Sequence, residues 1–311
     1  MHDIAVIGEA VADAFLSSAS QGQDVLDLRV RPGGGPANTA VALARLGTRT
    51  RFIGRIAGGP FGRLLRDHLS ASGVSLTASV AAKEQATLAV TTVDAAGQAS
   101  YEFYTEGTAD WQWTREELEE RHPEGVSCVH AGSLALALTP GGPLIEELLE
   151  RVRPSATVSI DPNVRPGVVP PGVYQVRLTR TIGLADIMRV SDEDLSHLGM
   201  SADAALDTWH GHGVRLVVVT RGARGAVGSL DGVRVTVPAV DVEPVDTVGA
   251  GDAFTAGLLH WLRRSGHLGG RMTDLTAEDV RRAMEFAALV AAETCRVPGA
   301  DPPWGESMLI A

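Results

Sequence analysis

The chain has little of what marks several common classes of protein. Its 311 residues include only two cysteines, Cys128 and Cys295, which lie far apart and form neither a metal-ligand spacing nor a disulfide framework. Lys and Arg number 27 against 38 Asp and Glu, whereas nucleic-acid surfaces need clustered cations. No apolar run reaches the about 18–20 residues of a membrane span, and the chain does not begin with a signal-peptide pattern. We therefore expect a soluble, cytoplasmic protein that binds neither nucleic acid nor membrane.

What the sequence has instead is an alternation of short apolar runs, typical of buried strands, with helical patterns. This order favours an α/β fold in which a mostly parallel sheet carries helices on both faces. The length fits a single domain, 1–311, of this kind. The predicted strands span 4–8, 51–56, 126–131, 157–161, 187–190, 216–220 and 233–242. The predicted helices span 36–46, 62–72, 141–151, 192–198, 202–212, 250–265 and 277–293.

Two stretches, 10–32 and 86–105, break this rhythm. The first shows no obvious helix and contains an alternating run at 24–31, and the second carries two strand-like runs joined by a turn at 94–97. We expect these four strands to form a small separate sheet, which would act as a lid over a ligand and exclude water. An alternative is a β-extension used for dimerisation, and the two roles are compatible.

A glycine-rich run, Arg31-Pro-Gly-Gly-Gly-Pro-Ala-Asn-Thr-Ala40, precedes the first predicted helix. It lacks the lysine of a phosphate-binding loop and does not follow an apolar strand as a dinucleotide turn does. Gly33, Gly34 and Asn38 could instead offer backbone and amide groups to a polar, uncharged ligand such as a sugar. The alternative is an ordinary loop-to-helix junction.

Asp13 follows the carboxyl end of the first strand. Ligands of open α/β sheets bind beyond that edge, and a carboxylate there could accept hydrogen bonds from two sugar hydroxyls. The alternative is a solvent-facing acid in a loop.

Three further strand ends carry polar groups. Asn163 and Arg165 follow the strand at 157–161, and Arg165 could bind a hydroxyl or a phosphate. Ser191-Asp-Glu-Asp194 opens a helix with ordinary capping chemistry, although one of its acids could hold Mg²⁺ through water. After the strand that ends at Thr220, glycines allow a nucleotide to approach the backbone closely.

The stretch Asp246-Thr-Val-Gly-Ala-Gly-Asp252 lies between a strand-like run and a predicted helix. Small residues let a backbone approach a ligand, and the free N–H groups and partial positive charge of a helix N-terminus suit anions. Asp252 could also be a simple cap, because Asp is favoured at that position. Taken alone, the stretch leaves both interpretations open.

In their order along the chain, these motifs resemble the ribokinase (PfkB) family of carbohydrate kinases, and in detail its fructokinases. The resemblance runs from residue 4 to about residue 303 and rests on Gly-Glu-x-x-x-Asp, Gly-Gly-Gly-x-Ala-Asn-x-Ala, Asp-Pro-Asn-x-Arg-Pro, Thr-x-Gly-x-x-Gly and Asp-Thr-x-Gly-Ala-Gly-Asp-x-Phe. It implies a three-layer α/β/α core with a β-sheet lid. It further implies ATP as phosphoryl donor, Mg²⁺, K⁺ in many members, and a sugar or nucleoside hydroxyl as acceptor.

The resemblance also implies roles for individual residues. Asp252 matches the catalytic base that takes the proton of the acceptor hydroxyl, and the N–H groups of Gly249, Ala250 and Gly251 match an anion hole. Matches on the acceptor side are Asp13, Gly33, Gly34, Asn38, Asn163 and Arg165. Matches on the nucleotide side are Thr220, Gly222, Gly225, Gly249 and Gly251, with a monovalent-cation position at Asp246 and a Gly-Ala pair at Gly299-Ala300.

One position departs from the family pattern. Many members have Asn-x-x-Glu where this chain has Ser191-Asp-Glu-Asp194, so either Asp194 or Glu193 could contact Mg²⁺. Fructokinase-like members carry versions of this kind, and fructose is the expected acceptor. Ribose, 2-keto-3-deoxygluconate or a nucleoside stay open as alternatives, as does a catalytically silent sugar or nucleotide sensor. Open edges of the lid sheet also favour a homodimer formed through the lid.

Overall fold

The computed structural model describes residues 3–16, 24–93 and 99–309. The strands, numbered along the chain, are β1 (Asp3–Ile7), β2 (Val11–Leu16), β3 (Leu28–Gly33), β4 (Thr50–Ile53), β5 (Arg55–Ala57), β6 (Val80–Ala82), β7 (Leu88–Val93), β8 (Ala99–Tyr104), β9 (Val126–Gly132), β10 (Thr157–Asp161), β11 (Ile187–Ser191), β12 (Leu216–Thr220), β13 (Ala226–Leu230) and β14 (Val233–Val237). The helices are α1 (Gly35–Arg45), α2 (Pro60–Ala71), α3 (Arg115–Glu120), α4 (Leu134–Ala137), α5 (Gly141–Val152), α6 (Pro171–Leu184), α7 (Asp192–His197), α8 (Ala202–Thr208), α9 (Ala250–Arg264) and α10 (Ala277–Cys295).

A large sheet forms the centre of the molecule, with the strand order β14-β13-β12-β11-β10-β9-β1-β4. Neighbours from β4 to β12 run parallel, and β13 and β14 close the sheet as antiparallel strands. Side chains of each strand alternate between two cores: Ile4 and Val6 pack with α1, α2, α9 and α10, whereas Ala5 and Ile7 pack with α5 and α6. The expected three-layer α/β/α arrangement is therefore confirmed.

A second, smaller sheet has the order β3-β2-β7-β8. The outer pairs β2–β3 and β7–β8 are antiparallel, and the central pair β2–β7 is parallel. The small sheet expected from the sequence is therefore present, and its action as a lid stays a prediction. The expected turn at 94–97 lies outside the described residues, as does 17–23 of the first stretch.

Two predicted strands differ from the structure in extent. The run 51–56 is not one strand, because it breaks at Gly54 into β4 of the large sheet and β5, which pairs with β6. The ring of Phe52 occupies the space that a Cβ of residue 54 would need, so any larger residue at this break would displace that buried ring. The run 233–242 ends as a strand before Pro238, since proline has no N–H to continue a ladder.

Both cysteines are free thiols, with Cys128 buried and Cys295 half-buried, in agreement with the absence of a disulfide framework. Among the residues that the structure describes, no helix is long and apolar enough to cross a membrane.

Candidate active site

Asp252 lies in the first turn of α9 and faces a side chain from the first helix of the chain. The amide Nδ2 of Asn38, on α1, donates a hydrogen bond to Oδ2 of Asp252 at 2.8 Å. Both residues belong to motifs that follow glycines, and the packing of α1 against α9 in one core brings the two motifs together. Asp252 is therefore not merely a cap of its own helix.

Burial raises the pKa of the Asp252 carboxyl from 3.8 to about 7. The N–H donor of Asn38 opposes this rise, because it favours the charged carboxylate, and the negative charge of Asp161 adds to it. The guanidinium groups of Arg189 and Arg165 lower the pKa in turn. The result is a carboxylate whose pKa lies close to neutral pH, which suits a general base.

The turn before α9 presents backbone donors beside this carboxylate. Gly249 precedes the helix in a left-handed conformation with φ of 77°, and Ala300 packs against it where a side chain of residue 249 would lie. Among the described residues, the N–H groups of Gly249 and Gly251 have no backbone acceptor, whereas that of Ala250 donates to the carbonyl of Thr247 at 3.2 Å. Two of the three predicted anion-hole donors are thus free to bind a ligand.

A narrow, solvent-open cavity lies beside Asp252. Asn163 contributes an amide at its wall, with Nδ2 lying 3.4 Å from Oγ of Ser133. Burial lowers the pKa of His130 to about 3, so this imidazole is neutral and adds no positive charge to the wall. The cavity is lined by Gly35, Pro36, His130, Gly132, Ser133, Asp161, Asn163 and Asp252.

Asp13 reaches the site from the small sheet. Burial raises the pKa of Asp13 to about 7, and the charge of Arg165 opposes the rise. The same guanidinium lowers the pKa of Asp252, so the charge of Arg165 acts on an acid of the small sheet and on an acid of the core. A Cβ at Gly33 would overlap the Asp13 carboxylate, which explains the glycine beside this acid. The structure brings together the predicted acceptor-side residues Asp13, Gly33, Gly34, Asn38, Asn163 and Arg165.

Arg189, which lies within β11, is a site residue that the sequence motifs do not include. Its Nη1 donates to Oδ2 of Asp161 at 2.8 Å, and its Nη2 donates to Oγ1 of Thr220 at 2.6 Å. Thr255 of α9 also approaches Oδ2 of Asp161, at 3.3 Å. A signal was available, because a charge within the apolar run 187–190 indicates a paired cation in a buried strand.

The loop after Thr220 forms the predicted nucleotide side. It turns through a 3₁₀ helix at Gly222–Arg224, with φ of 54° at Gly222 and 77° at Gly225. An ion pair from Arg224 to Asp192 holds the loop against the start of α7. Thr220 itself is joined through Arg189 to Asp161, so the nucleotide-side loop and the cavity share one hydrogen-bonded chain.

Asp246 ties together two distant segments of this side. Its Oδ1 accepts from the N–H of Val248 at 3.1 Å, and its Oδ2 accepts from the N–H of Gly299 at 2.7 Å. The neighbouring carbonyl of Pro298 accepts a hydrogen bond from Nη1 of Arg31, on β3, at 2.8 Å. The loop that carries the Gly-Ala pair is thus attached both to the turn before α9 and to the small sheet.

The two acids considered for Mg²⁺ lie in different surroundings. Both oxygens of Asp194 accept hydrogen bonds from the protein: Oδ1 from the N–H of Val164, and Oδ2 from the N–H and hydroxyl of Ser191. Glu193 is 84% exposed and pairs with His197 at 3.9 Å. Among the described residues, no three His, Cys, Asp or Glu side chains are grouped to hold a metal ion. The assignment of either acid to Mg²⁺ stays a prediction.

Comparison with known proteins identifies the class to which this fold and site belong. The model of the pfkB family of carbohydrate kinases matches residues 1–306, and the chain belongs to this family. It is 38% identical to a fructokinase of Rhizobium leguminosarum bv. trifolii over 259 residues, which cover 82% of this chain and 78% of the relative.

Solved structures of similar proteins point the same way. A fructokinase of Xylella fastidiosa with bound ATP has a TM-score of 0.90 at 27% identity, over 99% of this chain and 97% of that chain. A fructokinase of Vibrio cholerae O395 with fructose, ADP and calcium ion bound has a TM-score of 0.83 at 29% identity, over 96% of this chain and 94% of that chain. The family and fold expected from the sequence are confirmed.

Proposed function

We propose that the protein is an ATP-dependent fructokinase, which transfers the γ-phosphoryl group of ATP to a hydroxyl of fructose. The observation that carries the proposal is the position of Asp252: a carboxylate of pKa about 7 beside free backbone donors at the N-terminus of α9. The chain's similarity to a curated fructokinase and to a fructokinase structure with fructose and ADP bound supports the choice of acceptor.

In the proposed reaction, Asp252 accepts the proton of the acceptor hydroxyl as that oxygen attacks the γ-phosphorus. The bond between this phosphorus and the oxygen that bridges it to the β-phosphate breaks, and ADP leaves. Free N–H groups of Gly249 and Gly251 are placed to stabilise charge on the phosphoryl oxygens. Both donors and base are held before the substrate arrives, so little reorganisation accompanies the transfer.

On the acceptor side, Asp13 and Arg165 are the groups proposed to bind sugar hydroxyls. The carboxylate accepts from hydroxyl groups, and the guanidinium donates to them. Asn38 keeps its donor on Asp252 and so orients the base toward the cavity. Because Asp13 belongs to the small sheet, closure of that sheet would complete the sugar site and exclude water in the same movement.

We further propose that Mg²⁺ accompanies the nucleotide. The described residues do not form a cage of carboxylates, and the oxygens of Asp194 are already engaged. This donor set fits an ion held mainly by phosphate oxygens and water, as Mg²⁺ often is in kinases, with Asp194 acting through water. Mg²⁺ would supply positive charge to the phosphates. A K⁺ requirement, centred on the loop that Asp246 organises, is proposed on the family resemblance.

The test is ADP production across a panel of free sugars and nucleosides, with Mg²⁺-ATP, in the presence and absence of K⁺. Turnover on fructose alone supports the proposal. Turnover on ribose, 2-keto-3-deoxygluconate or a nucleoside instead would keep the mechanism and replace the acceptor. Sugar and ATP binding by calorimetry without turnover on any acceptor would favour the sensor alternative.

A homodimer formed through the small sheet is also part of the proposal. Each edge strand of the small sheet exposes a large apolar side chain, Leu28 on β3 and Tyr104 on β8, and Val25 and Leu26, which precede β3, are exposed as well. Exposed edges and apolar groups of this kind invite pairing. Light scattering of the wild-type protein and of a Leu26→Asp variant would test the proposal, since a dimer through this face should give monomers in the variant.

Because ATP is the proposed donor, the cytoplasm is the proposed location.

A further inference from the structure

Arg189 is a buried cation that the proposed mechanism has not yet used. It is 7% exposed within the central strand β11, between Asp161 on one side and Thr220 on the other. Burying a guanidinium is costly unless it is paired, and a leucine or valine would suit a central strand better. Its presence therefore calls for a function that needs a cation at this place.

The hydrogen bonds of Arg189 leave part of its guanidinium free. Nη1 and Nη2 each carry two N–H groups, and the structure shows one acceptor for each: Asp161 and the hydroxyl of Thr220. The buried Nε has no partner among the described residues. A buried donor without an acceptor is expensive, so the side chain is bonded firmly in position and yet incompletely satisfied.

The free end of the guanidinium faces the first turn of α9. A Cβ built on Gly251 would lie 2.8 Å from both Nη1 and Nη2 of Arg189, and 3.1 Å from its Cζ. The fork thus opens toward Gly251, whose backbone N–H also has no acceptor. A guanidinium and a helix N-terminus carry charge of the same sign. The carboxylates of Asp161 and Asp252 offset this charge, and a bound anion would engage the donors that stay free.

The location of this contact identifies the anion. Thr220 is on the proposed nucleotide side, and Asp252 is the proposed base for the acceptor hydroxyl. We infer that Arg189 is a further catalytic residue, which binds oxygens of the transferring phosphoryl group together with the N–H of Gly251. The inference rests on the proposed kinase function, because that function supplies the phosphoryl group. No bond to Arg189 forms or breaks: it donates hydrogen bonds and keeps its charge throughout.

The competing explanation is that Arg189 only neutralises the buried Asp161. The two explanations differ in what removal of both partners does. If neutralisation is the whole role, the double variant Asp161→Asn/Arg189→Met has no unpaired charge and recovers the turnover lost in Arg189→Met. If Arg189 binds the phosphoryl group, the double variant stays as slow as the single one, and the coupling between the two sites is small.

The experiment compares wild type, Arg189→Met, Arg189→Lys, Asp161→Asn and the double variant, with fructose binding and thermal unfolding measured for each. Loss of a preorganised donor to a phosphoryl or oxyanion group costs about 10²–10³-fold in kcat, so we expect a loss of that size in Arg189→Met with fructose affinity changed by less than about threefold. Arg189→Lys keeps the cation but not the fork, and partial recovery is expected.

A binding measurement removes the dependence on turnover. In the presence of fructose and Mg²⁺, ADP with aluminium fluoride mimics the transferring group, and its affinity should fall in Arg189→Met while the affinity for ADP alone is retained. Turnover of Arg189→Met within about fivefold of wild type, or recovery in the double variant, would overturn the inference. Failure of the wild type to phosphorylate fructose or any other acceptor would instead remove the proposed function. Assays of the wild type and of the variants side by side distinguish this result from a failure of the Arg189 inference alone.

Discussion

Replacing Asp252 by Asn should slow catalysis strongly and yet stabilise the fold above neutral pH. The wild-type carboxyl has its pKa raised from 3.8 to about 7 in the folded protein, chiefly by burial. At acidic pH below 3.8 it is protonated in both folded and unfolded chains, and the raised pKa contributes its full stabilisation there. That contribution is lost as the pH rises from the unfolded pKa through the folded one. The amide that replaces the carboxyl in Asp252→Asn would carry no charge at any pH.

The size of the effect follows from the same shift. A rise from 3.8 to about 7 corresponds to roughly 4 kcal/mol at about 1.4 kcal/mol per unit, as an upper limit. The new amide would face Nδ2 of Asn38, which now donates to a carboxylate oxygen, and its own NH₂ must find an acceptor. We therefore expect Asp252→Asn to raise the free energy of unfolding at pH 8 by about 1–3 kcal/mol. Loss of the base should lower kcat by about 10²–10⁴-fold.

Urea unfolding at pH 5 and pH 8, with kinase assays on the same samples, tests both halves of this expectation. The matched control is Asp67→Asn, which removes one exposed carboxylate from α2 and should change neither quantity. If the difference in free energy of unfolding between Asp252→Asn and wild type does not grow from pH 5 to pH 8, burial does not raise the pKa of the Asp252 carboxyl. Unchanged turnover would show that Asp252 is not the base.

Three other perturbations have defined outcomes. Gly251→Ala places a methyl group against the Arg189 fork and should lower kcat at least about tenfold, whereas Gly183→Ala, with open space around its Cβ, should leave kcat unchanged. Asn38→Ala removes the donor that favours charged Asp252, so the acid limb of the kcat profile should move to higher pH than in wild type; a move to lower pH would contradict the assigned hydrogen bond. Replacing K⁺ by tetramethylammonium should lower turnover if a cation binds beside the Asp246 loop, and equal rates in both salts would remove that site.

Much of the fold follows from patterns that are local in sequence. The parallel strands at 157–161 and 216–220 have the predicted bounds, because a short apolar run between turns has few other structures open to it. The helix α6 was not predicted, although Pro171 is a start signal, because proline suits the first turn of a helix. The strand β13 was missed because Gly228 interrupts it; its position against Met284 of α10, which a Cβ would strike, is a tertiary contact.

The candidate site divides in the same way. Asp252, Asn38 and Asp13 were predicted from the sequence, because each belongs to a local motif that is recognised by its residue spacing or its glycines. The pairing of Asn38 with Asp252 joins two motifs from opposite ends of the chain, and no local pattern contains it. Arg189 was overlooked because it lies in a strand and not in a loop. The role of its side chain depends on contacts with Asp161 and Gly251, which are distant in sequence.

The hydrogen bond from Arg31 to the carbonyl of Pro298 makes the two halves of the site thermodynamically dependent on each other. One end of this contact belongs to the small sheet that carries Asp13, and the other to the loop bound to Asp246. A ligand that stabilises either end therefore stabilises the contact for both. By linkage, nucleotide must tighten sugar binding by the same factor as sugar tightens nucleotide binding. Positive coupling of this kind would make ATP bind more weakly in the absence of the acceptor and would so limit its hydrolysis.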